Sequence, residues 1–392
     1  MDYRPTIRAC FTGYIVQAVV NNFAPLLFLT FQAQYGIPLS QVTLLITINF
    51  GLQLLIDTAS AFFIDKIGYR RAAVLAHVSA ALGLVFLAIL PEALPSPFAG
   101  LLVAVFFYAL GGGLLEVIVS PIVEACPSDH KAQTMSILHS FYCWGSAGVV
   151  ALSTLFLAVF GHDSWRILAA LWALLPLANG LVFTRVPIAP LIAEGETSMR
   201  FGELFRSKFF WLIMLMMFCS GASEQAVSQW ASTFAEKGLG VSKTIGDLTG
   251  PTLFSLLMAS SRLLYGKYGE KLNLSQAIFF SGLLCVASYL LIGLTDSPIA
   301  GLAGVGLCGF SVGVFWPGTF STAAAALTRG GTAMFALLAL AGDLGCSAGP
   351  TLAGAIAGAA GDNLRLGILC GVGFPLLLIA GLAGLKRLQK HE

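Results

Sequence analysis

The sequence predicts an all-α membrane protein, with twelve transmembrane helices in two pseudo-symmetric six-helix bundles. Three observations carry this. Only 10% of the 392 residues are charged and 57% are hydrophobic. Soluble chains carry about 25% charged residues, so this one cannot cover a water-facing surface and must lie mostly in lipid. Twelve apolar runs each approach the roughly 20 residues that a spanning helix needs. Two stretches of the chain also repeat each other about half a chain apart.

The runs start near Ile7, Gln41, Ala72, Phe98, Ala132, Trp165, Phe209, Thr244, Leu274, Pro298, Gly331 and Leu364. Most connections between them are short. One polar stretch, 185–207, holds Glu194, Glu196, Arg200, Glu203 and Arg206, and its centre falls at the middle of the chain. The expected organisation is an N-terminal six-helix bundle over 1–184, a cytoplasmic linker over 185–207 and a C-terminal six-helix bundle over 208–392. The first run follows Arg4 and Arg8 and ends without a small-residue cleavage site, so it reads as a span rather than a signal peptide.

Lys and Arg set the orientation, because they concentrate in cytoplasmic loops. With both termini inside, the inner loops and ends hold 17 of them, from Arg4 to Lys390. The outer side holds only Arg166, Lys237, Lys243 and Arg365. The expectation is a multi-pass protein of the cell membrane with both termini cytoplasmic.

Asp65-Lys66-Ile67-Gly68-Tyr69-Arg70-Arg71 follows the second run, and Gly266-Lys267-Tyr268-Gly269-Glu270-Lys271 follows the eighth, 201 residues later. The fourth run ends near Ser120-Pro121 and the tenth near Trp316-Pro317, 196 residues apart. Helices six apart cross in the same direction, so the repeat is parallel, about an axis along the membrane normal. Such a pair of bundles suits alternating access.

Several classes find no support. The net charge of +2 offers nothing to nucleic acid. The eight cysteines form no CxxC pair and fall mostly in apolar runs, so neither a disulfide framework nor a metal site is expected. The Gly-rich stretch from Gly238 to Thr244 lacks a Gly-Lys pair, and no zincin motif or nucleophile elbow occurs. The expectation is no cofactor and no enzyme. An intramembrane hydrolase would have no use for a parallel repeat, and a pore would favour an oligomer, whereas this organisation suits a monomer.

The first-half loop resembles the signature of the major facilitator superfamily between its second and third helices. That pattern is Gly, three residues, Asp, Arg or Lys, any residue, Gly, any residue, and two Arg or Lys. Asp65, Lys66, Gly68, Arg70 and Arg71 fit it, and Ala61 stands at the first Gly. The resemblance implies a major facilitator fold over the whole chain. It also implies a cytoplasmic latch in which the Asp sits near a helix N-terminus and the basic residues exchange acidic partners. Arg262 and Lys267, at the corresponding end of the eighth run, join this gating set. Otherwise Arg70 and Arg71 would serve topology alone.

A narrower resemblance is to the fucose permease branch, the fucose, galactose and glucose proton symporters. Gly111-Gly112-Gly113-Leu114-Leu115-Glu116 followed by Ser120-Pro121 looks like that branch's fourth helix, where a Glu after a Gly pair is linked to proton coupling. Val20-Asn21-Asn22-Phe23 looks like its Asn-Asp segment, with Asn22 standing where the branch has its second coupling Asp.

A polar group near the bilayer centre costs several kcal/mol unless it is paired or faces water. Glu116 and His139 lie at equal depth on either side of the turn near Ser128, so they could meet, as a proton site or as a structural pair. Asp57 and His77 show the same symmetry about Ile67, with structure the leading reading. Glu224, Gln225, Ser228, Gln229 and Trp230 make a polar face on the seventh run that suits a sugar's hydroxyls and apolar face, or helix–helix contact. Asp343 lies between Gly342 and Gly345 and would be a second protonation site or a hydrogen bond to a neighbouring helix. Gln17, Asn21 and Asn22 read as cavity-lining amides. Trp316-Pro317 would break the tenth helix and present an aromatic ring. Gly309–Gly313, Gly345–Gly349 and Gly354–Gly358 are small-residue pairs for close approach, and Gly349-Pro350 is a hinge candidate.

The resulting expectation is a secondary active transporter, most simply a proton-coupled importer of a small polar solute such as a monosaccharide. Glu116, Glu224, Asp343 and His139 would serve proton coupling. Gln17, Asn21, Asn22, Glu224, Gln225, Gln229, Trp230 and Trp316 would bind substrate. The alternatives are a proton-antiport exporter of a small organic or amphipathic compound, and an uncoupled facilitator.

Overall fold

The computed structural model describes residues 2–37, 39–192, 198–231, 234, 243–361 and 363–389. Glu194, Glu196, Lys237, Lys390 and the stretch 238–242 lie outside them. Every regular element among the described residues is helical. Each of the twelve expected starts falls within a helix. Nine described helices are long and apolar enough to cross a membrane, and the helices Arg4–Leu26, Leu39–Ile67 and Lys243–Tyr268 match them in length.

The spans, in order, begin with Arg4–Leu26, continued after Leu27 by Phe28–Tyr35. The second to sixth are Leu39–Ile67, Tyr69–Ala93, Pro97–Ala125, Lys131–Phe160 and Trp165–Arg185. A short helix, Phe201–Arg206, precedes the seventh span, Lys208–Ser228. The eighth and ninth are Lys243–Tyr268 and Leu274–Leu294. The tenth is broken into Pro298–Val312 and Phe315–Ala326. The eleventh is Gly331–Ala359, and the twelfth is Leu364–Cys370 followed by Gly373–Gln389.

Local chemistry sets the ends. Ser96 and Ser297 cap the fourth and tenth spans by accepting from Ala99 and Ala300 N–H, each with Pro in the first helical turn. This Ser-Pro start recurs at an interval of 201 residues and is a further mark of the repeat. Gly68 begins the third span at φ +83°, which an L side chain rarely adopts. The sixth span ends on Arg70, whose Nη1 and Nη2 donate to the carbonyls of Phe183 (2.8 Å) and Val186 (2.9 Å). The last carbonyls of a helix have no partner within it, so a guanidinium satisfies them and their dipole together.

The chain forms two compact units, 1–128 with 141–194, and 129–140 with 195–392. In the first, the fourth span packs against the first, second and third, and the third against the sixth. In the second, the tenth packs against the seventh, eighth and ninth, and the ninth against the twelfth. These four pairings thus recur in the second unit with six added to every span.

Glycine makes the central approaches possible. A Cβ on Gly111 would lie 2.6 Å from Ala80 N and 2.7 Å from Ala76 O of the third span. On Gly112 it would meet Val20 of the first span at 3.1 Å, and on Gly113 it would meet Ile56 of the second at 3.2 Å. Three consecutive glycines therefore each admit a different helix. In the second unit, Gly309 and Gly313 face backbone of the eighth span, and Gly345 and Gly349 face backbone of the seventh. The eleventh span runs unbroken through Gly349-Pro350, and Gly349 packs against Ala222 backbone.

Gly111→Ala pushes a methyl into backbone that cannot yield. It is expected to destabilise the purified protein by about 1–3 kcal/mol, read as an earlier thermal transition. Gly358→Ala, where a Cβ meets nothing within 4 Å, should leave that transition unchanged.

Candidate functional site

In the first unit the three amides of the first span reach three different helices. Gln17, 3% exposed, donates from Nε2 to Glu116 Oε2 of the fourth span at 2.9 Å. Its own Oε1 has no partner among the described residues. Asn21 Oδ1 accepts from Gln53 Nε2 of the second span at 2.8 Å, and Asn21 Nδ2 lies 3.5 Å from Tyr142 Oη of the fifth. Asn22 Nδ2 donates to Ala18 O (2.8 Å) and to Ser146 Oγ (3.1 Å). One turn below Gln17, Tyr14 Oη and Ser120 Oγ share a hydrogen bond of 3.0 Å. The result is a ladder of neutral donors and acceptors around the Glu116 carboxylate. Asn21 and Asn22 remain partly open, as groups that also meet a solute must be.

His77 turns away from this ladder. Its Nδ1 bonds Ala73 O at 2.7 Å and its Nε2 bonds Asn179 Nδ2 at 2.8 Å. Both ring nitrogens are therefore taken by groups other than Asp57, and the expected Asp57–His77 pair gives way to a tie between the third and sixth spans. An oxygen of Asp57 lies within 4.8 Å of one of Glu116 instead. Glu116 and His139 belong to different units.

The second unit is organised around Arg262, 4% exposed. Its Nε donates to Gly313 O (3.0 Å), where the tenth span breaks, and Nη1 to His139 O (3.2 Å). Nη2 pairs with Glu224 Oε2 of the seventh span at 3.4 Å. Ser136 Oγ donates back to Arg262 O at 2.7 Å. Gln225 Nε2 lies 3.4 Å from Glu224 Oε1. Arg262, expected in the gating set, is thus a buried hub inside the bundle. The carbonyl at Gly313 is free to accept because the helix is interrupted there. His139 contributes its backbone, while its ring stacks on Phe320 at 5.9 Å.

Of the remaining expected site residues, Trp230 is half-buried and donates from Nε1 to Pro350 O at 3.0 Å. Gln229 is exposed at the end of the seventh span. Trp316 lies in the first turn after the break, its ring against Gly342, the neighbour of half-buried Asp343. In the loop motifs, Asp65, Lys66, Arg71 and Lys267 are exposed and Arg70 caps the sixth span.

Sequence reasoning missed Gln53 and Arg262 as partners of the chosen residues. Gln53 had a signal, because Asn49, Gln53, Asp57 and Ser60 fall on one helical face. Arg262 had one in its distance from the loop, a turn inside the apolar run.

Arg262→Met leaves the Glu224 carboxylate without its guanidinium. Breaking such a pair is expected to cost about 3–5 kcal/mol, read as loss of thermal stability, and Glu224→Gln in the same chain should restore part of it.

Comparison with known proteins places the chain. A family model described as Major Facilitator Superfamily matches residues 9–385. Membrane protein MosC of Rhizobium meliloti is 23% identical over 320 residues, 82% of this chain and 76% of that protein. FucP in the outward conformation superposes with a TM-score of 0.85 at 16% identity, over 98% of this chain and 99% of that one. A second structure, of the E. coli fucose:proton symporter FucP, gives 0.83 at 15%, with the same coverage. The proton:xylose symporter XylE gives 0.79 at 11%, over 98% and 95%. The family match over nearly the whole chain, with the all-helical two-unit fold, makes this protein a member of the Major Facilitator Superfamily, a multi-pass membrane transporter.

Proposed function

We propose that this transporter carries a small neutral polar solute, such as a monosaccharide, into the cell together with protons, by alternating access. The observation that carries the reading is the Gln17–Glu116 contact within a ladder of neutral amides and hydroxyls. A carboxylate in such a setting takes up and releases a proton, and the amides Asn21 and Asn22 suit hydroxyl groups, which both donate and accept. The likeness in fold to FucP and XylE, proton symporters of fucose and xylose, supports it.

Glu116 is the coupling carboxylate in this reading, with Asp343 as a second titrating group. Glu224 carries an ion pair to Arg262, which suits a residue that organises the second unit while Gln225, Gln229, Trp230 and Trp316 meet the solute. Segments 1–184 and 208–392 are the two moving halves, 185–207 is their cytoplasmic linker, and both termini are cytoplasmic. The protein works as a monomer. Asp65, Lys66, Gly68, Arg70, Arg71 and Lys267 shape the gating loops.

The solute is found first, by thermal stabilisation of purified protein against monosaccharides, nucleosides, amino acids and organic ions. Ligand at 100 times its Kd should stabilise by about 2.7 kcal/mol. With that solute in liposomes, Glu116→Gln should abolish concentrative uptake driven by a proton gradient and leave counterflow intact. Stabilisation by amphipathic ions alone would favour an exporter. Wild-type uptake indifferent to the proton gradient would favour an uncoupled facilitator, a reading that the neutral Asn22, bonded to Ser146, would fit.

A further inference from the structure

The second span carries a buried polar stripe, Asn49, Gln53, Asp57 and Ser60, at intervals of four, four and three residues. Gln53 is engaged with Asn21. Asp57, one turn on, is 0% exposed, and one of its carboxylate oxygens lies within 4.8 Å of one of Glu116. Beside them Gln17 holds Glu116 Oε2 with its Nε2 while its Oε1, on the same buried amide, is without a partner among the described residues.

We propose that Asp57 and Glu116 act as one proton-binding dyad, two carboxylates that hold a single proton between them, with the Gln17 amide answering both of their states. The proposal rests on the reading of Glu116 as the coupling carboxylate and adds Asp57 and Gln17 to it. Two ionised carboxylates this close inside a bundle repel each other strongly, because the interior screens far less than water. One proton from the aqueous side, bonded to an oxygen of either, takes the pair from −2 to −1, and its release returns the pair to −2. No other bond changes. In the charged state Glu116 accepts from the Gln17 amide, as the structure has it. In the protonated state an O–H needs an acceptor, and a half-turn of the same amide presents Oε1.

Other titratable groups inside the packed spans of this unit include Cys10, Tyr14, His77, Tyr108, Tyr142 and Cys143. Tyr14 is bonded to Ser120, Tyr142 to Asn21, and His77 to Ala73 and Asn179. Cys10 and Tyr108 are buried in their spans.

The test needs no solute. Infrared difference spectra of the purified protein against pH report the carbonyl stretch of a protonated carboxyl group. The dyad predicts a step in wild type that Asp57 and Glu116 share, recognised as the one lost from the Asp57→Asn with Glu116→Gln protein while the other carboxyl groups still titrate. It predicts that Asp57→Asn moves that step by about two pH units. An Asp57→Asn protein that titrates as wild type overturns the dyad and leaves Glu116 standing as the coupling group. A Glu116→Gln protein that keeps the wild-type step overturns the reading on which the dyad rests. If Asp57→Asn does not elute as a single folded species, Asp57→Glu replaces it. Glu116→Gln must then move the titration of the Asp57→Glu protein, and an unmoved step overturns the dyad. Replacing choline chloride by saturating sodium chloride should leave the wild-type step where it is. A step displaced by sodium would make the site one for that ion and overturn the proton dyad.

Discussion

Hydrocarbon offers no hydrogen bonds, so every amide and carboxylate carried into it has to meet another group of the protein or a water-filled space. This chain carries such side chains along most of its spans, and their partners account for most of what distinguishes its interior. In the first unit the answers are neutral, amide to amide and amide to hydroxyl, with Glu116 held by Gln17. In the second they are ionic, with Arg262 drawing together Glu224, the open carbonyl at the break of the tenth span and the start of the fifth. One repeat thus holds two chemistries, hydrogen bonds among amides, hydroxyls and a carboxylate in one unit and a guanidinium–carboxylate pair in the other.

Close approach is the second requirement. Lipid tails solvate leucine as well as leucine does, so helices associate through packing, and small residues let backbones touch. The triple glycine of the fourth span is the sharpest instance. Its three positions point at the third, first and second spans in turn, so one short motif seats the central helix of the unit. The same segment carries Glu116 a turn later. The packing that brings the first and second spans close at Gly112 and Gly113 is what sets Gln17 and Asp57 beside that carboxylate. The tenth span repeats the arrangement with single glycines and a break, and Arg262 occupies the carbonyl that the break exposes.

Much of this was legible in the chain. Low charge and twelve apolar runs dictate a membrane bundle, because hydrophobicity and length act locally and need no knowledge of neighbours. The repeat showed in the loops after the second and eighth spans, and also in the Ser-Pro starts at Ser96 and Ser297. Glu116, Gln17, Asn21 and Glu224 were identifiable because a polar residue inside an apolar run is costly wherever it ends up. Partners were harder. His77 stands opposite Asp57 across the turn in the sequence, yet its ring faces the sixth span and binds Asn179. Arg262 read as one more basic residue near a loop, and only its burial turned it into a hub.

The sequence by itself determined the class of the protein, the number and order of its spans and which residues had to be accommodated in the membrane. Each of these follows from the composition of a short stretch and the thickness of a bilayer. Only the tertiary structure decided who meets whom. The rotation of the fourth span about its axis is set by glycine contacts from three directions at once, and a turn of a few tens of degrees would hand Glu116 a different neighbour. That choice of neighbours, Gln17 and Asp57 for one carboxylate and Arg262 for the other, sets the two carboxylates in different surroundings, and no local pattern in the chain records it.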